Sequence, residues 1–535
     1  MKGIPEQILE KFRIRDNDLG NSIQKALEYL NSKELDEIKF GAFLFRRYFS
    51  EKVKLDEELA KENKQLDFYI DIFVEKKVID IIGKVLLTES NADILSELLW
   101  TLLNFTYYRT KKKECEYIKE FMNKTYTEIF FKIINMEDNE IINNLFDFLT
   151  NCVIESDDFG KHLFSNEQLM RLCLMKYIEP VKSVKIEQDV KKSIIFFFVS
   201  LSKLSNSFNE KQKNTFFKIY EQIIGARQFE PDIIMHAIIG LKFLLYSDKP
   251  ETKIIFNIIK KNNYEIFDKL FLSLKEIMIK YENYDDLDFI VYNISFIVKT
   301  FIGLSEEKDM IILVQNTNLL NFIEAFFNQI YYKSIKLSFL EILVQLSQHT
   351  YNVVLNMIKE RDTLVGELIK GVLNSNNFDI KMKGILIIYN MLSLNSLDIN
   401  IILFKNGIID QLITVNLLNE IENNCLNKIL NCILFFINSI KPLENQWKVE
   451  IINNLIKVGI TNGLENNNVR FNEEHNILIN QIKTEVNIIL NCDLNGSSNT
   501  NISDLSMTSN QNNINVNADA SNNPFLYIPS NSNIN

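Results

Sequence analysis

A single helical stripe, copied along the chain, limits what this sequence can fold into. In ILSELLWTLLNF, residues 94–105, the apolar residues Ile94, Leu95, Leu98, Leu99, Leu102 and Leu103 recur at helical spacing and mark one buried face. Trp100 and Asn104 stand four apart, so they share a second face one turn from each other. Weakened copies follow in DIIMHAIIGLKFLLY, DDLDFIVYNISFIVKTF, KSIKLSFLEILVQLSQ, IKMKGILIIYNMLS and CLNKILNCILFFINS. The position of Trp100 falls near Asp147, Val199, Gly240, Phe296, Glu341, Leu386 and Asn431, and the last three steps are 45 residues each.

A period of about 40–47 residues with two or three helices per unit belongs to the armadillo and HEAT class. Such a unit cannot bury its apolar face alone, so neighbours must stack. The expected fold is all-α: armadillo-type three-helix repeats stacked in a right-handed superhelix with one long concave surface. Composition agrees. In 535 residues there are 15 Gly and 7 Pro, too few turn-formers for a sheet-rich protein, and 46% of residues are hydrophobic.

The chain divides into an N-terminal extension at 1–20, a solenoid at 21–492 and a tail at 493–535. The lead-in helices are SIQKALEYLN and IKFGAFLFRRYFS, followed by a polar bridge at 52–65. A helix pair, Tyr69 to Leu87, is hinged at Lys76–Lys77 before the Trp100 helix. After Cys492 the sequence turns Asn- and Ser-rich, which cannot bury enough area to offset its ordering entropy, so the tail is expected to be disordered.

Charge and chemistry narrow the function. The net charge of −11 argues against a nucleic-acid partner and suits basic peptides. The six Cys, at 115, 152, 173, 425, 432 and 492, form no C-x-x-C pair and read as reduced thiols. The N-terminus has no apolar signal core. The run IIFFFVSL is too short to span a bilayer, so no membrane insertion is expected and the protein is expected to be soluble and intracellular. The four His, at 162, 236, 349 and 475, are scattered and lack metal-ligand spacing. No nucleotide-binding, hydrolase or zincin motif occurs, so neither enzyme activity nor a cofactor is expected. The Phe196–Phe198 run reads as core. Asn523-Pro524-Phe525 could bind an endocytic EH-type domain, but arises easily by chance in an Asn-rich tail.

The repeat order resembles importin-alpha, the armadillo adaptor of nuclear import, over roughly Ser22 to Asn491. The likeness rests on the lead-in helices, on IDIFVEKKVIDIIGKVL followed by ILSELLWTLLN with its W-x-x-x-N pair, and on DDFGKHLFSNEQLMRL after Asn151. It extends to KNGIIDQLI with Gly407 at an inter-helix turn, and to GLENNNVRFNEEHNILINQI at the close. The resemblance implies a groove lined by Trp and Asn ladders that holds nuclear localisation peptides in extended form. Trp100 and Asn104 match one full rung. Asn151 and Asn390 match Asn positions whose Trp partners are replaced by Asp147 and Leu386. Glu155 falls where the family pairs an acid with the key peptide lysine. Val199, Gly240 and Glu341 replace Trp elsewhere, Lys203 and Gln345 replace Asn, and Arg109 to Lys113 place like charge after the intact rung. The family's basic arm that binds importin-beta has no counterpart in residues 1–20, which leaves importin-beta recruitment open. The alternatives are a divergent armadillo scaffold in a cytoskeletal, vesicular or signalling assembly, or an armadillo exchange factor for a chaperone.

Overall fold

The computed structural model describes residues 19–47, 77–107, 116–178, 184–226, 229–246, 252–281, 286–329, 333–360, 364–417, 423–465 and 472–494. The bridge at 52–65, Arg109 to Lys113, Asn523-Pro524-Phe525 and nearly all of the two terminal segments lie outside them. Among the described residues the regular elements are all helical. The last helix runs to Leu494, two residues past the expected boundary at 492.

The chain alternates short helices with one longer helix that closes each repeat. These closing helices are α1 (Ala92–Tyr107), α2 (Asn139–Glu155), α3 (Val184–Ser202), α4 (Pro231–Leu245), α5 (Leu287–Leu304), α6 (Lys333–Ser347), α7 (Phe378–Ser393), α8 (Asn423–Ser439) and α9 (Glu473–Leu494). Each packs on the next, from α1 on α2 through to α8 on α9, in one unbroken row. The shorter helices form an outer row, as where Val78–Thr88 packs on Lys124–Ile134. Neighbours pack more extensively in the closing-helix row than in the outer row. In a curved stack the closely spaced side is the inside, so α1–α9 make the inner wall.

Polar side chains with apolar stems tie successive repeats together along the outer row. The Lys132 ammonium donates to the carbonyls of Leu86 (2.8 Å) and Leu87 (3.1 Å) at the end of the preceding outer helix. Lys176, one repeat on, does the same at Met136 (3.1 Å). These carbonyls have no intrahelical partner, so the lysines act as caps supplied by the neighbouring repeat. The buried Tyr126 hydroxyl donates to Ile79 O (2.7 Å), and a Cβ added at Gly83 would press on the same ring.

Turns between the short helices use left-handed backbone. Gly407 has φ +69°, as the family-like turn predicts. The same conformation falls on Lys77 (φ +53°), at the start of Val78–Thr88, and on Asn263 and Tyr264 (φ +51° and +63°) between two short helices, where no glycine marks it. Lys77 stands immediately before Val78–Thr88; the first of the two segments expected to meet at Lys76–Lys77 lies outside the described residues.

One described helix, α5, is long and apolar enough to cross a membrane by length and composition alone. It is the central member of the inner row, held by α4 and α6, with 56% of it buried. Four cysteines, Cys152, Cys173, Cys425 and Cys432, are buried, and burial pushes the Cys173 thiol up to about 12. No group of three or more metal-ligating side chains occurs among the described residues.

Candidate functional site

The inner wall carries the residues singled out from the sequence, in two separate places. Trp100 and Asn104 lie on α1, Asn151 and Glu155 on the adjacent α2, and Asn390 five helices away on α7. The stripe Ile94, Leu95, Leu98, Leu99 and Leu102 is fully buried, with Leu103 at its margin. That burial turns the other face outward and leaves Trp100 38% exposed. Asn104 and Glu155 are half-buried.

The asparagines do more for the solenoid than the sequence suggested. Asn151 Nδ2 donates to Thr106 Oγ1 on α1 (3.4 Å), and Asn390 Nδ2 donates to Ser347 Oγ on α6 (3.0 Å). Each amide thus braces its helix against the one before it. The bond also fixes the amide's rotation, and its Oδ1 accepts no hydrogen bond among the described residues.

Asp147, which stands at the Trp position of the second rung, is half-buried on α2. Burial holds its carboxyl above the ordinary carboxylate range, and a hydrogen bond from the Ser193 side chain only partly opposes this. No lysine or arginine pairs with it among the described residues. Nearby acids have cationic partners, Asp93 with Lys39 and Glu97 with Arg46, although burial still holds the Glu97 carboxyl above its ordinary range. The wall over α1 and α2 therefore joins an exposed indole to a carboxylate lacking a cation.

From α3 onward lysines lie over aromatic rings along the wall. Phe196 is half-buried rather than core, and its ring lies against the His236 imidazole with centroids 3.8 Å apart. Burial lowers the pKa of His236, whose Nδ1 lies 2.6 Å from Asp232 O. Lys203 reaches over the Phe243 ring. Lys242 sits over Phe296 (4.8 Å) and Tyr292 (5.0 Å) and donates to Asn293 Oδ1 (2.9 Å). Further on, Glu341 accepts from Lys299 (2.5 Å) and lies 3.5 Å from Lys383. Burial raises the Glu341 pKa, but the two lysines more than offset this and the net shift is downward. At the far end a cleft of about 550 Å³ is lined by Tyr389, Asn427, Lys428, Asn431, Glu474 and His475.

Two expected rung positions do not reach the wall surface. Val199 is buried, and a Cβ added at Gly240 would stand 2.3 Å from Tyr220 Cζ, so Gly240 faces the outer row. On α3 the half-buried position nearest Val199 is Phe196. On α4 the half-buried positions are Asp232, His236, Ile239, Lys242 and Phe243. The lysine and aromatic groups of α4 and α5 were missed by the sequence reading. The available signal was surplus: α5 fills its core face with Ile290, Ile294, Ile297, Val298 and Phe301, yet also carries Phe289, Tyr292 and Phe296 at helical spacing.

No family model matches the chain. No curated protein matches it in sequence. Among solved structures it is similar to an engineered protein at a TM-score of 0.53 and 12% identity, covering 87% of this chain and 99% of that one. A designed armadillo repeat protein gives 0.37 at 11% identity, over 50% of this chain and 99% of that one. A structure concerning the interaction between cadherin and beta-catenin gives 0.46 at 8% identity, over 87% and 86%. At these identities the likeness speaks for the fold alone, and the all-α stack of helical repeats is carried by the order and packing of the helices in this structure.

Proposed function

We propose that this protein is a non-enzymatic scaffold that binds an extended segment of another protein along its inner wall, with a basic stretch of that segment seated on α1 and α2. The observation that supports this reading is that Trp100 is exposed on α1 while Asp147, on the adjacent α2, is half-buried with its carboxyl raised by burial. A lysine stem can lie over an indole. Its ammonium would relieve the desolvated carboxylate, with Glu155 as a second acceptor on the same helix. Asn104, Asn151 and Asn390 supply side-chain amides along the wall, and the fixed Oδ1 atoms of the last two suit peptide N–H groups.

Recognition of nuclear localisation signals for import, as the importin-alpha resemblance implies, is the specific form of this proposal. It would place the protein in cytoplasm and nucleus. The scaffold of a cytoskeletal, vesicular or signalling assembly is the second form; the lysine-rich wall beyond α2 favours it, because that stretch repels a continuous basic peptide.

The test is a titration of the full chain with a fluorescent lysine-rich peptide. Trp100→Ala and Glu155→Lys should each weaken binding by about tenfold, the loss of one charge-assisted or cation–π contact. Unchanged affinity in both variants would sink the reading.

A further inference from the structure

The wall of α4 and α5 holds features that the packing of the stack does not require. Tyr246 is 64% exposed, Tyr292 52% and Phe289 46%, and Tyr246 lies against Phe296 with ring centroids 5.9 Å apart. Large aromatics exposed together cost hydration free energy, and a patch of this kind marks an interaction surface. Beside it, a cleft of about 480 Å³ between α5 and α6 is lined by Phe296, Lys299, Thr300, Glu341 and Gln345.

The charge in the patch is one-sided. The Lys242 ammonium is held by two rings and a neutral amide oxygen, and it meets no carboxylate among the described residues. Burial lowers its pKa, with no acidic group opposing the shift. Lys203, exposed over Phe243, also has no carboxylate partner among the described residues. Among the nearby acids, Asp232 pairs with Lys192 (2.9 Å), Asp288 accepts from Ser334 (2.7 Å), Glu341 lies with Lys299 and Lys383, and Asp286, exposed at the start of α5, acts on His236 rather than on Lys242.

We infer that the inner wall over α3–α5 is a second docking subsite, for an acidic segment with interspersed apolar side chains from a partner protein. Carboxylates of the segment pair with Lys203 and Lys242, and its apolar side chains cover Phe289, Tyr292 and Tyr246. Packed helices stand about 10 Å apart and an extended chain rises about 3.3 Å per residue, so one helix step equals three residues. The two carboxylates are therefore spaced i and i+3. Sign and hydrophobicity together select this occupant. A basic segment is repelled by both lysines, and an all-apolar one leaves the Lys242 charge covered and unpaired. The inference rests on the reading that the wall takes extended segments, but it concerns a different stretch from Trp100 and an opposite charge.

The experiment uses the full chain and two labelled twelve-residue peptides, read by fluorescence anisotropy. One has Glu at every third position with Phe and Leu between; the other is lysine-rich. The acidic probe should bind, more weakly as salt rises. Lys203→Glu, Lys242→Met and Tyr292→Ala should each weaken it by about tenfold, while leaving the basic probe unchanged. Trp100→Ala should do the reverse. Lys203 and Tyr292 are exposed, so their variants keep the test decisive should Lys242→Met unfold, which circular dichroism will show. Failure of the acidic probe to bind, or equal binding by Lys203→Glu and Tyr292→Ala, overturns the subsite. Binding of the acidic probe without the basic one leaves the subsite standing and removes the Trp100 reading. Failure of both probes removes the extended-segment reading as well. Sedimentation with anionic phospholipid vesicles that is lost in Tyr292→Ala would assign the patch to a lipid surface and overturn the peptide proposal.

Discussion

At the scale of single residues, environment decides the role. Asp147 and Glu341 occupy the same position of their repeats, yet their carboxyls move in opposite directions. Glu341 lies between two lysines and its pKa falls; Asp147 has burial and one hydroxyl, and its pKa rises. A carboxyl whose pKa is raised in the folded chain favours folding while protonated. That contribution is present below its unfolded pKa and lost as pH rises through the folded one. Asp147→Asn should therefore stabilise the protein at neutral pH, by up to about 1 kcal/mol in thermal or denaturant melts. The same change should weaken a basic peptide and flatten the pH dependence of its binding. In the wild type, affinity should fall as pH drops through the raised Asp147 pKa. A variant that loses stability while keeping full affinity would contradict this account. None of it was legible in the sequence, where Asp147 reads only as a missing tryptophan.

Among the elements, the repeats depend on contacts that cross from one to the next. Lys132 satisfies carbonyls at the end of Val78–Thr88, and its stem passes through the outer row. Lys132→Met keeps most of the stem packing and removes the donor, leaving the carbonyls of Leu86 and Leu87 without it. The expected cost is about 1–3 kcal/mol, measured as a lower melting temperature, with local hydrogen exchange rising first near Leu86–Glu89. Wild-type protection there would show that water caps the helix equally well. The helical pattern foretold these elements closely, because a buried 3.6-residue stripe leaves few alternatives. It failed at left-handed turns: Gly407 announces one, whereas Lys77 and Tyr264 adopt the same backbone under the pull of packing. Tyr264 is held there by its hydroxyl bond to Asp309 Oδ1 (2.9 Å), a contact 45 residues away in sequence.

For the whole molecule, the inner wall reads as two zones of opposite sign. Trp100, Asp147 and Glu155 lie at the N-terminal end, and Lys203 and Lys242, which meet no carboxylate among the described residues, follow at the end of α3 and on α4. A partner segment with a basic block and an acidic block can engage both zones at once. Two helix steps separate α2 from α4, about 20 Å or six extended residues. A single peptide joining the two blocks through about six residues should bind at least about 10²-fold more tightly than either block alone, by raising effective concentration. Shortening the spacer to one residue should erase that gain in an isothermal titration. Equal affinity for both spacers would mean that the zones do not act on one chain.

The sequence by itself determined the all-helical architecture, the repeat and the exposure of Trp100, because an apolar stripe at fixed period can be buried only by stacking identical units. It could not decide what the remaining faces meet. Whether Asn151 and Asn390 brace neighbouring helices, whether Gly240 looks inward or outward, and which lysines stay without a counter-charge depend on side chains 40 to 50 residues apart. Those meetings follow from the rotation of each helix in the stack, which a one-residue change in loop length alters without disturbing the period. The tertiary structure alone chose them, and with them the charge of the wall.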